Sequence, residues 1–144
     1  MTLETLFSLC NALALPAWLL LAVAPRWRFT NLVVHSGAWP LVYAVIYTAL
    51  ILYYFGQGEG GFGSLAGVMK LFDQPGAVMA GWVHYLAFDL FIGSWEVRNA
   101  KKHNIPHWLV VPCLFFTFMF GPIGLLLYIL LRTAFTFKLN VGHA

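Results

Sequence analysis

The chain has 144 residues, of which 61% are hydrophobic and only 9% are charged, and its mean hydropathy is +0.80. Soluble domains carry roughly 25% charged residues, so this composition excludes an ordinary soluble protein and predicts a chain whose solvent is lipid. The net charge of +3 comes from a few cations at the ends of apolar runs. That placement is typical of membrane topology and excludes a nucleic-acid-binding surface.

The apolar runs are long and continuous rather than alternating, which predicts helices and not a β-barrel. Four membrane spans are predicted in chain order, over about residues 5–24, 39–55, 76–98 and 106–132. Each span is near or above the length of about 20 residues that crosses the hydrocarbon core. We therefore predict an all-α membrane protein, with a single domain over residues 1–144 built as a four-transmembrane-helix bundle.

Two interruptions of the apolar pattern have structural meaning. The second loop, about residues 56–75, begins glycine-rich and continues as the apolar stretch LAGVMKLF, which we expect to form a short interfacial helix. The sequence FGPIG places Pro122 and two glycines inside the fourth span. A packing notch between helices is favoured there, and a bend that makes room for a ligand is the alternative.

The loop charges predict the orientation. Loops one and three carry five cations, which are Arg26, Arg28, Arg98, Lys101 and Lys102. The opposite side carries three, which are Lys70, Arg132 and Lys138. The excess predicts that loops one and three are cytoplasmic and that both termini lie on the non-cytoplasmic side of the membrane.

Ionisable residues inside a span are costly and indicate function. The third span contains GWVHYLAFDLF, with His84 and Asp89, and then Glu96. At about 100° per residue, Asp89 and Glu96 share one stripe with Trp82 and Tyr85, whereas His84 lies about 140° from Asp89. On a regular helix His84 and Asp89 meet only through a ligand between them, or if the helix contains a π-bulge.

Each of these polar residues has a structural alternative. Asp89 could be a structural carboxylate bonded to a neighbouring helix, but the cost of burying it favours a functional role. For His84 a core hydrogen bond and a working role are equally supported. For Glu96, an interfacial ion pair near Arg98 is favoured.

A metal site near the cytoplasmic surface is the minor alternative for His35, Glu96, His103 and His107, because their spacing matches no ligand motif. Haem ligation by His84 is a second minor alternative. We therefore predict no metal and no other cofactor. The aromatic content of 17% includes midspan rings such as Phe88 and Phe120. Most of these rings are expected to pack or to face lipid, but a pocket for a flat conjugated chain would use such a surface.

Three stretches carry a family resemblance: WVHYLAFDLF at 82–91, PCLFFTFMFGPIGLLLY at 112–128, and APRWR after the first span. Together they resemble the abscisic-acid-deficient-four-like family of small four-helix membrane proteins, over nearly the whole chain. Plant members of that family are required to make neoxanthin from violaxanthin, a carotenoid conversion in plastid membranes. The chain lacks the long segment that plastid import needs, so we expect a multi-pass protein of a bacterial plasma membrane.

The resemblance implies a protein that acts on a carotenoid or related isoprenoid, as an isomerase with His84 and Asp89 as a catalytic acid–base pair. Opening a 5,6-epoxide to an allenic alcohol needs an acid at the epoxide oxygen and a base for the C7 proton. Expected substrate-binding residues are Trp82, Tyr85, Phe88, Glu96, Phe120 and Pro122.

The sequence is also compatible with two other functions. One is a non-catalytic carotenoid- or lipid-binding accessory subunit that passes its ligand to another enzyme. The other is a small proton or solute conduit that uses Asp89 and Glu96, which the scarcity of polar residues disfavours. The expected partners are an isoprenoid lipid, the membrane, and other carotenoid enzymes or a second copy of the chain.

Overall fold

The computed structural model describes residues 2–137, and every regular element within that range is a helix. In chain order these are α1 (Leu3–Val23), α2 (Arg28–Thr30) leading into a π-helix (Asn31–His35), α3 (Ala38–Tyr54), α4 (Leu65–Phe72), α5 (Pro75–Lys102), α6 (His107–Phe120) and α7 (Pro122–Thr136). The predicted all-α class is confirmed.

Three helical segments are long and apolar enough to cross a membrane: Leu3–Val23, Arg28–Tyr54 and Pro75–Lys102. Their outward sides carry large exposed hydrophobic side chains such as Leu19, Val45, Leu52 and Phe91. A soluble monomer rarely exposes so much contiguous apolar surface. The structure is therefore compatible with a protein that lies in lipid.

The central element is α5, which buries more residues than any other described helix and packs against α1, α3 and α6. Gly93 makes the approach of α1 possible, because a Cβ at this position would lie 2.7 Å from the Trp18 ring. A side chain on that face of α5 would push α1 away. Neighbouring helices therefore contact α5 on both faces, and this packing fixes the side chains at the middle of α5.

The predicted fourth span is two helices instead of one. The first, α6, ends at Phe120, and Gly121 then adopts φ +51° and ψ −95°, a conformation that favours glycine. Pro122 follows as the first residue of α7, where its missing N–H costs little. Gly124 lies against Thr117, since a Cβ on Gly124 would be 2.1 Å from the Thr117 nitrogen. In a straight helix these two residues would be about 10 Å apart along the axis.

The chain reverses direction at Gly121. The turn lies beside Asp89, yet the Tyr128 hydroxyl of α7 donates to Asn99 Oδ1 at 2.8 Å. Asp89 and Asn99 are about 15 Å apart along α5, so α7 runs back towards the end at which α6 begins. We call α6, Gly121 and α7 the re-entrant hairpin, and Gly121 its tip.

The predicted fourth crossing is therefore not confirmed. An apolar run of this length can form either one long tilted helix or two short helices. Proline and glycine residues occur both at a bend inside a helix and at a tight turn between two helices, so the sequence does not distinguish the two. The prediction that both termini share one side depended on four crossings, and the hairpin removes that basis. The C-terminus itself, and Lys138, lie outside the described residues.

The second loop contains the predicted short helix. It is α4, which coincides with LAGVMKLF, and it begins where the Ser64 hydroxyl caps the helix by accepting from the Gly67 amide at 3.1 Å. Phe72, at its end, contacts α5 at Gly81, where a Cβ would be 2.9 Å from the ring. This contact ties α4 to the end of the bundle that is opposite loops one and three.

Candidate functional site

The stripe predicted on α5 exists, because α5 is an uninterrupted α-helix from Pro75 to Lys102. At the end of the stripe nearest the start of α5, the Trp82 indole donates from Nε1 to Asn11 Oδ1 of α1 at 2.9 Å. The Trp82 ring lies 5.3 Å from the Phe7 ring and 5.5 Å from the Tyr85 ring. The stripe therefore faces α1 and the re-entrant hairpin, with three aromatic rings in sequence.

The Asp89 carboxyl group lies at the tip of the hairpin. A Cβ on Gly121 would be 2.8 Å from Asp89 Oδ1, so the backbone of the tip comes directly against the carboxyl group. Asp89 Oδ2 is buried and accepts no hydrogen bond from the described residues. Because α7 begins at Pro122, the carboxyl group also lies by the N-terminal end of a helix, where the peptide dipoles favour negative charge.

Tyr85 connects Asp89 to the hairpin. Its hydroxyl donates to the Phe118 carbonyl at 2.6 Å, and Asp89 follows one helical turn later on the same face of α5. A tyrosine hydroxyl has one proton to donate. That proton is donated to the Phe118 carbonyl, so Tyr85 ties the stripe on α5 to the hairpin.

The hairpin lies along this face of α5 as far as Tyr85, whose hydroxyl bonds to Phe118. Between α1 and α5 the structure leaves a cavity of about 300 Å³, which we call the outer cavity, lined by Leu3, Glu4, Phe7, Asp73, Pro75, Val78, Met79 and Trp82. Trp82 is 38% exposed, lines this cavity and lies against the Tyr85 ring. Phe120 and Pro122, on either side of the tip, are exposed as well.

His84 lies on the other side of α5. Its ring is 5.5 Å from Tyr47 of α3 and 4.7 Å from Phe88. It lines a cavity of about 250 Å³ between α3, α4 and α5, which we call the aromatic cavity because its walls include Tyr47, Tyr54, Phe55, Phe62 and Phe72. Phe88 lines a further apolar cavity of about 370 Å³ against α3.

The structure does not bring His84 and Asp89 together. A regular α-helix keeps them about 140° apart, and α5 contains no π-bulge that would rotate one towards the other. Among the predicted site residues, Trp82, Tyr85, Asp89, Phe120 and Pro122 lie at or near the outer face of the hairpin tip. His84 and Phe88 belong to the face that packs on α3.

The favoured interpretation of Glu96 as an interfacial ion-pair residue is wrong. Glu96 is 0% exposed, and the Thr117 hydroxyl of α6 lies 2.9 and 3.1 Å from its two carboxyl oxygens. Over residues 2–137 the one ion pair joins Lys70 to Glu59. Since α5 continues to Lys102, Glu96 is well inside the helix and finds its partner within the bundle. Its predicted contact with substrate stays untested.

Thr117 was missed by the sequence reasoning. A threonine in an apolar helix usually bonds to a carbonyl of its own helix, so nothing in the local pattern distinguishes one that bonds to another helix. The signal lies in Gly124, seven residues later, whose lack of a side chain lets α7 pack on the Thr117 backbone. Thr117 therefore joins α5, α6 and α7 at a single point.

The histidines near loops one and three are bonded to protein oxygens. His35 Nε2 donates to the Pro25 carbonyl at 3.1 Å and Nδ1 pairs with Ser94 Oγ at 2.9 Å. His103 and His107 each donate to a backbone carbonyl at 2.9 Å, those of Asn99 and Ala22. Among residues 2–137, no group of three or more His, Cys, Asp or Glu side chains is arranged to hold a metal ion.

These features define a class: a small all-helical protein, compatible with a membrane location, with one half-buried and one fully buried carboxyl group along a central helix. The family model described as ABA DEFICIENT 4-like matches residues 5–128, and the chain belongs to this family. A curated relative, Protein ABA DEFICIENT 4, chloroplastic, from Arabidopsis thaliana, is 23% identical over 110 residues. The match covers 71% of this chain and 50% of the relative, so the chain spans about half the length of that protein. No solved structure matches the chain.

Proposed function

We propose that the protein binds a carotenoid-type isoprenoid from the membrane and isomerises its end group, with Asp89 as the acid–base residue. The observation that carries this proposal is the position of the Asp89 carboxyl group. It lies at the middle of an apolar helix, against the hairpin tip, with Oδ2 buried and unpartnered among the described residues. Such a costly arrangement favours a functional role, and membership of the ABA DEFICIENT 4-like family supports the substrate class.

The end group of the substrate binds beside Trp82 and Tyr85. The outer cavity, at about 300 Å³, is near the lower limit of roughly 300–1,000 Å³ for small-molecule pockets, which suits a ring and not a whole polyene. The flat rings of Phe7, Trp82 and Tyr85 offer a stacking surface. The conjugated chain then lies in lipid along the exposed apolar surface of the helices.

Asp89 acts alone in both proton transfers. In its protonated form it donates to the epoxide oxygen as the C–O bond at C6 breaks, and the resulting carboxylate takes the C7 proton as the allene forms. The carboxyl group begins and ends protonated, so the reaction is a net isomerisation that consumes no reductant or oxidant. Tyr85, hydrogen-bonded to the Phe118 carbonyl, orients the carboxyl group.

In this proposal His84 is not the partner base that the sequence suggested. Its contacts are with Tyr47 and Phe88 on the α3 side, and a single end group cannot reach it and Asp89 at once without crossing α5. The proposal therefore assigns His84 to ligand contact in the aromatic cavity and leaves both proton transfers to Asp89.

The test is pigment analysis in a carotenoid-producing host. Wild type, Asp89→Asn and His84→Gln are expressed at matched levels, and extracted and protein-bound pigments are identified by liquid chromatography and mass spectrometry. We expect Asp89→Asn to retain bound pigment but to form no isomer, because the amide cannot donate and retake a proton. We expect His84→Gln to convert pigment. Conversion by Asp89→Asn at the wild-type level would overturn the proposal.

A second candidate function is non-catalytic binding of an isoprenoid for delivery to another enzyme. It is favoured by the aromatic cavity and the neighbouring apolar cavity, which lie away from Asp89 and together line the groove between α3 and α5. In that case the purified protein is coloured, converts nothing, and loses pigment when Phe88→Ala alters the groove. Asp89→Asn would then have no effect on pigment content.

We also propose an orientation in a bacterial plasma membrane. If Leu3–Val23, Arg28–Tyr54 and Pro75–Lys102 cross the bilayer, the re-entrant hairpin enters from and returns to the side of loops one and three. Six of the seven described Lys and Arg residues then lie towards that side, and Lys70 lies on the other. By the excess of positive charge, this side is cytoplasmic, with α1 beginning outside and α7 ending inside.

A further inference from the structure

A further cavity, with polar walls, lies at the opposite end of the bundle from the outer cavity. It has a volume of about 120 Å³ and forms where loop one, the π-helix, the last turns of α5 and the start of α6 meet. We call it the basic pocket, and its lining residues are Pro25, Arg26, Asn31, His35, Val97, Arg98, Ala100, Lys101, Ile105 and His107. At about 30 Å³ per water in the liquid, it has room for several waters or for one phosphate group.

The charge of the basic pocket has one sign. Arg26, Arg98 and Lys101 contribute three cations, and the lining contains no Asp or Glu. Within the described residues none of the three cations forms an ion pair. Three uncompensated cations around one cavity repel each other, and an anion bound between them would remove that repulsion.

Two of the polar side chains are held in position by uncharged partners. The Arg98 guanidinium donates from Nη1 to the His35 carbonyl at 3.2 Å and from Nε to the Ser94 carbonyl at 3.3 Å. Two of its five N–H groups are used in this way, so the orientation is fixed and donors remain. The His35 imidazole is itself bonded to Pro25 and Ser94.

The π-helix supplies this geometry. Its widened turn is closed by the Ser36 amide, which donates to the Asn31 carbonyl at 3.0 Å, and it leaves the His35 carbonyl free to accept from Arg98. Single π-turns occur often at functional sites. Here the π-helix packs between loop one and α5, and it places both Asn31 and His35 in the wall of the basic pocket.

We infer that the basic pocket binds a phosphate group. Arginine and lysine donors around a small cavity recognise phosphate oxygens. The phosphate can be part of an anionic phospholipid or can be a free phosphate ion. The pocket lies among the cationic loops at one end of the apolar helices, at the depth where lipid phosphates would be, and this favours the lipid. This inference is independent of the proposed isomerase activity.

The experiment measures lipid and anion binding to the full chain in mild detergent. Native mass spectrometry is used to titrate the protein with phosphatidic acid, phosphatidylglycerol and phosphatidylcholine, and calorimetry with inorganic phosphate in chloride buffer covers the soluble source. The test variants are Arg26→Gln and Lys101→Gln, whose side chains make no hydrogen bond with a described residue. The matched controls are Arg28→Gln and Lys102→Gln, which remove the same charge outside the pocket.

We expect the anionic lipids to bind more tightly than phosphatidylcholine, and each test variant to weaken that binding about fivefold. The controls are expected to change it less than twofold. Binding of inorganic phosphate with the same variant pattern, and no lipid preference, would support the site with a soluble ligand. Equal losses in test and control variants, or no binding of any phosphate compound, would overturn the inference.

Discussion

Asp89 and Gly121 lie in direct contact, the first at the middle of the central helix and the second at the tip of the re-entrant hairpin. The distance of 2.8 Å from Asp89 Oδ1 to the place of a Gly121 Cβ leaves no room for a side chain. The tip and the carboxyl group therefore fix each other's position.

Gly121→Ala is expected to lower the free energy of unfolding and to displace Asp89. The φ of +51° costs about 1–3 kcal/mol for a residue with a Cβ, and the methyl group would also strike the carboxyl group. The measurement is thermal or detergent-induced unfolding of the purified protein. Gly63→Ala is the control, because Gly63 has open space around its Cβ position and no positive φ. Equal stability of the two variants would contradict the assigned role of the tip.

Gly124→Ala tests the packing of the two hairpin helices on each other. A methyl group there would lie 2.1 Å from the Thr117 nitrogen and hydroxyl, so α7 must move away from α6. Overpacking of this kind typically costs about 1–3 kcal/mol, and we expect a lower unfolding midpoint together with protease cleavage within the hairpin. If Gly124→Ala is as stable as both the wild-type protein and the Gly63→Ala control, α6 and α7 are not in close contact.

The bond between Thr117 and Glu96 can be measured by a double-mutant cycle. Thr117→Val removes the hydroxyl that faces both carboxyl oxygens of Glu96 and leaves a buried acid without this donor, at a cost of about 1–3 kcal/mol. In a Glu96→Leu background the same threonine change is expected to cost much less. Additive effects of the two substitutions would contradict a direct interaction.

If the three long helices cross the bilayer as proposed, the hairpin determines on which side of the membrane α7 ends. We expect green fluorescent protein fused after Ala144 to fluoresce in a bacterial host, and alkaline phosphatase fused at the same point to be inactive. The seven residues beyond Phe137 span at most about 25 Å when extended, which is less than the hydrocarbon thickness of about 30 Å. Fusions at the N-terminus are the control, with the opposite expected pattern. Active phosphatase at the C-terminus would indicate a fourth crossing.

The helices and the α5 stripe could be predicted from sequence because they depend on local periodicity. Apolar runs identified α1, α3 and α5, and the spacing of Trp82, Tyr85 and Asp89 placed them on one face. The reversal at Gly121 could not be predicted, because it depends on whether α7 packs on α6 or continues away from it. The partner of Glu96 was missed for the same reason, since a hydrogen bond between helices leaves no periodic signal in either helix.

The separation of His84 from Asp89 follows from helix geometry and was foreseen, but the choice between their roles was not. The sequence motif contains both residues, and only the packing shows that one faces α3 while the other faces the hairpin. The two residues are separable by mutation, since the ring contacts of His84 within residues 2–137 are with Tyr47 and Phe88.

The most direct measurement is the initial rate of carotenoid isomerisation by purified protein in liposomes, compared between Asp89→Asn and His84→Gln. We expect Asp89→Asn to lower the rate by roughly 10²–10⁴-fold, the range for loss of a general acid–base residue. His84→Gln is expected to change the rate by less than tenfold. A wild-type rate for Asp89→Asn, or a loss in His84→Gln as large as that expected for Asp89→Asn, would contradict the assignment of both proton transfers to Asp89.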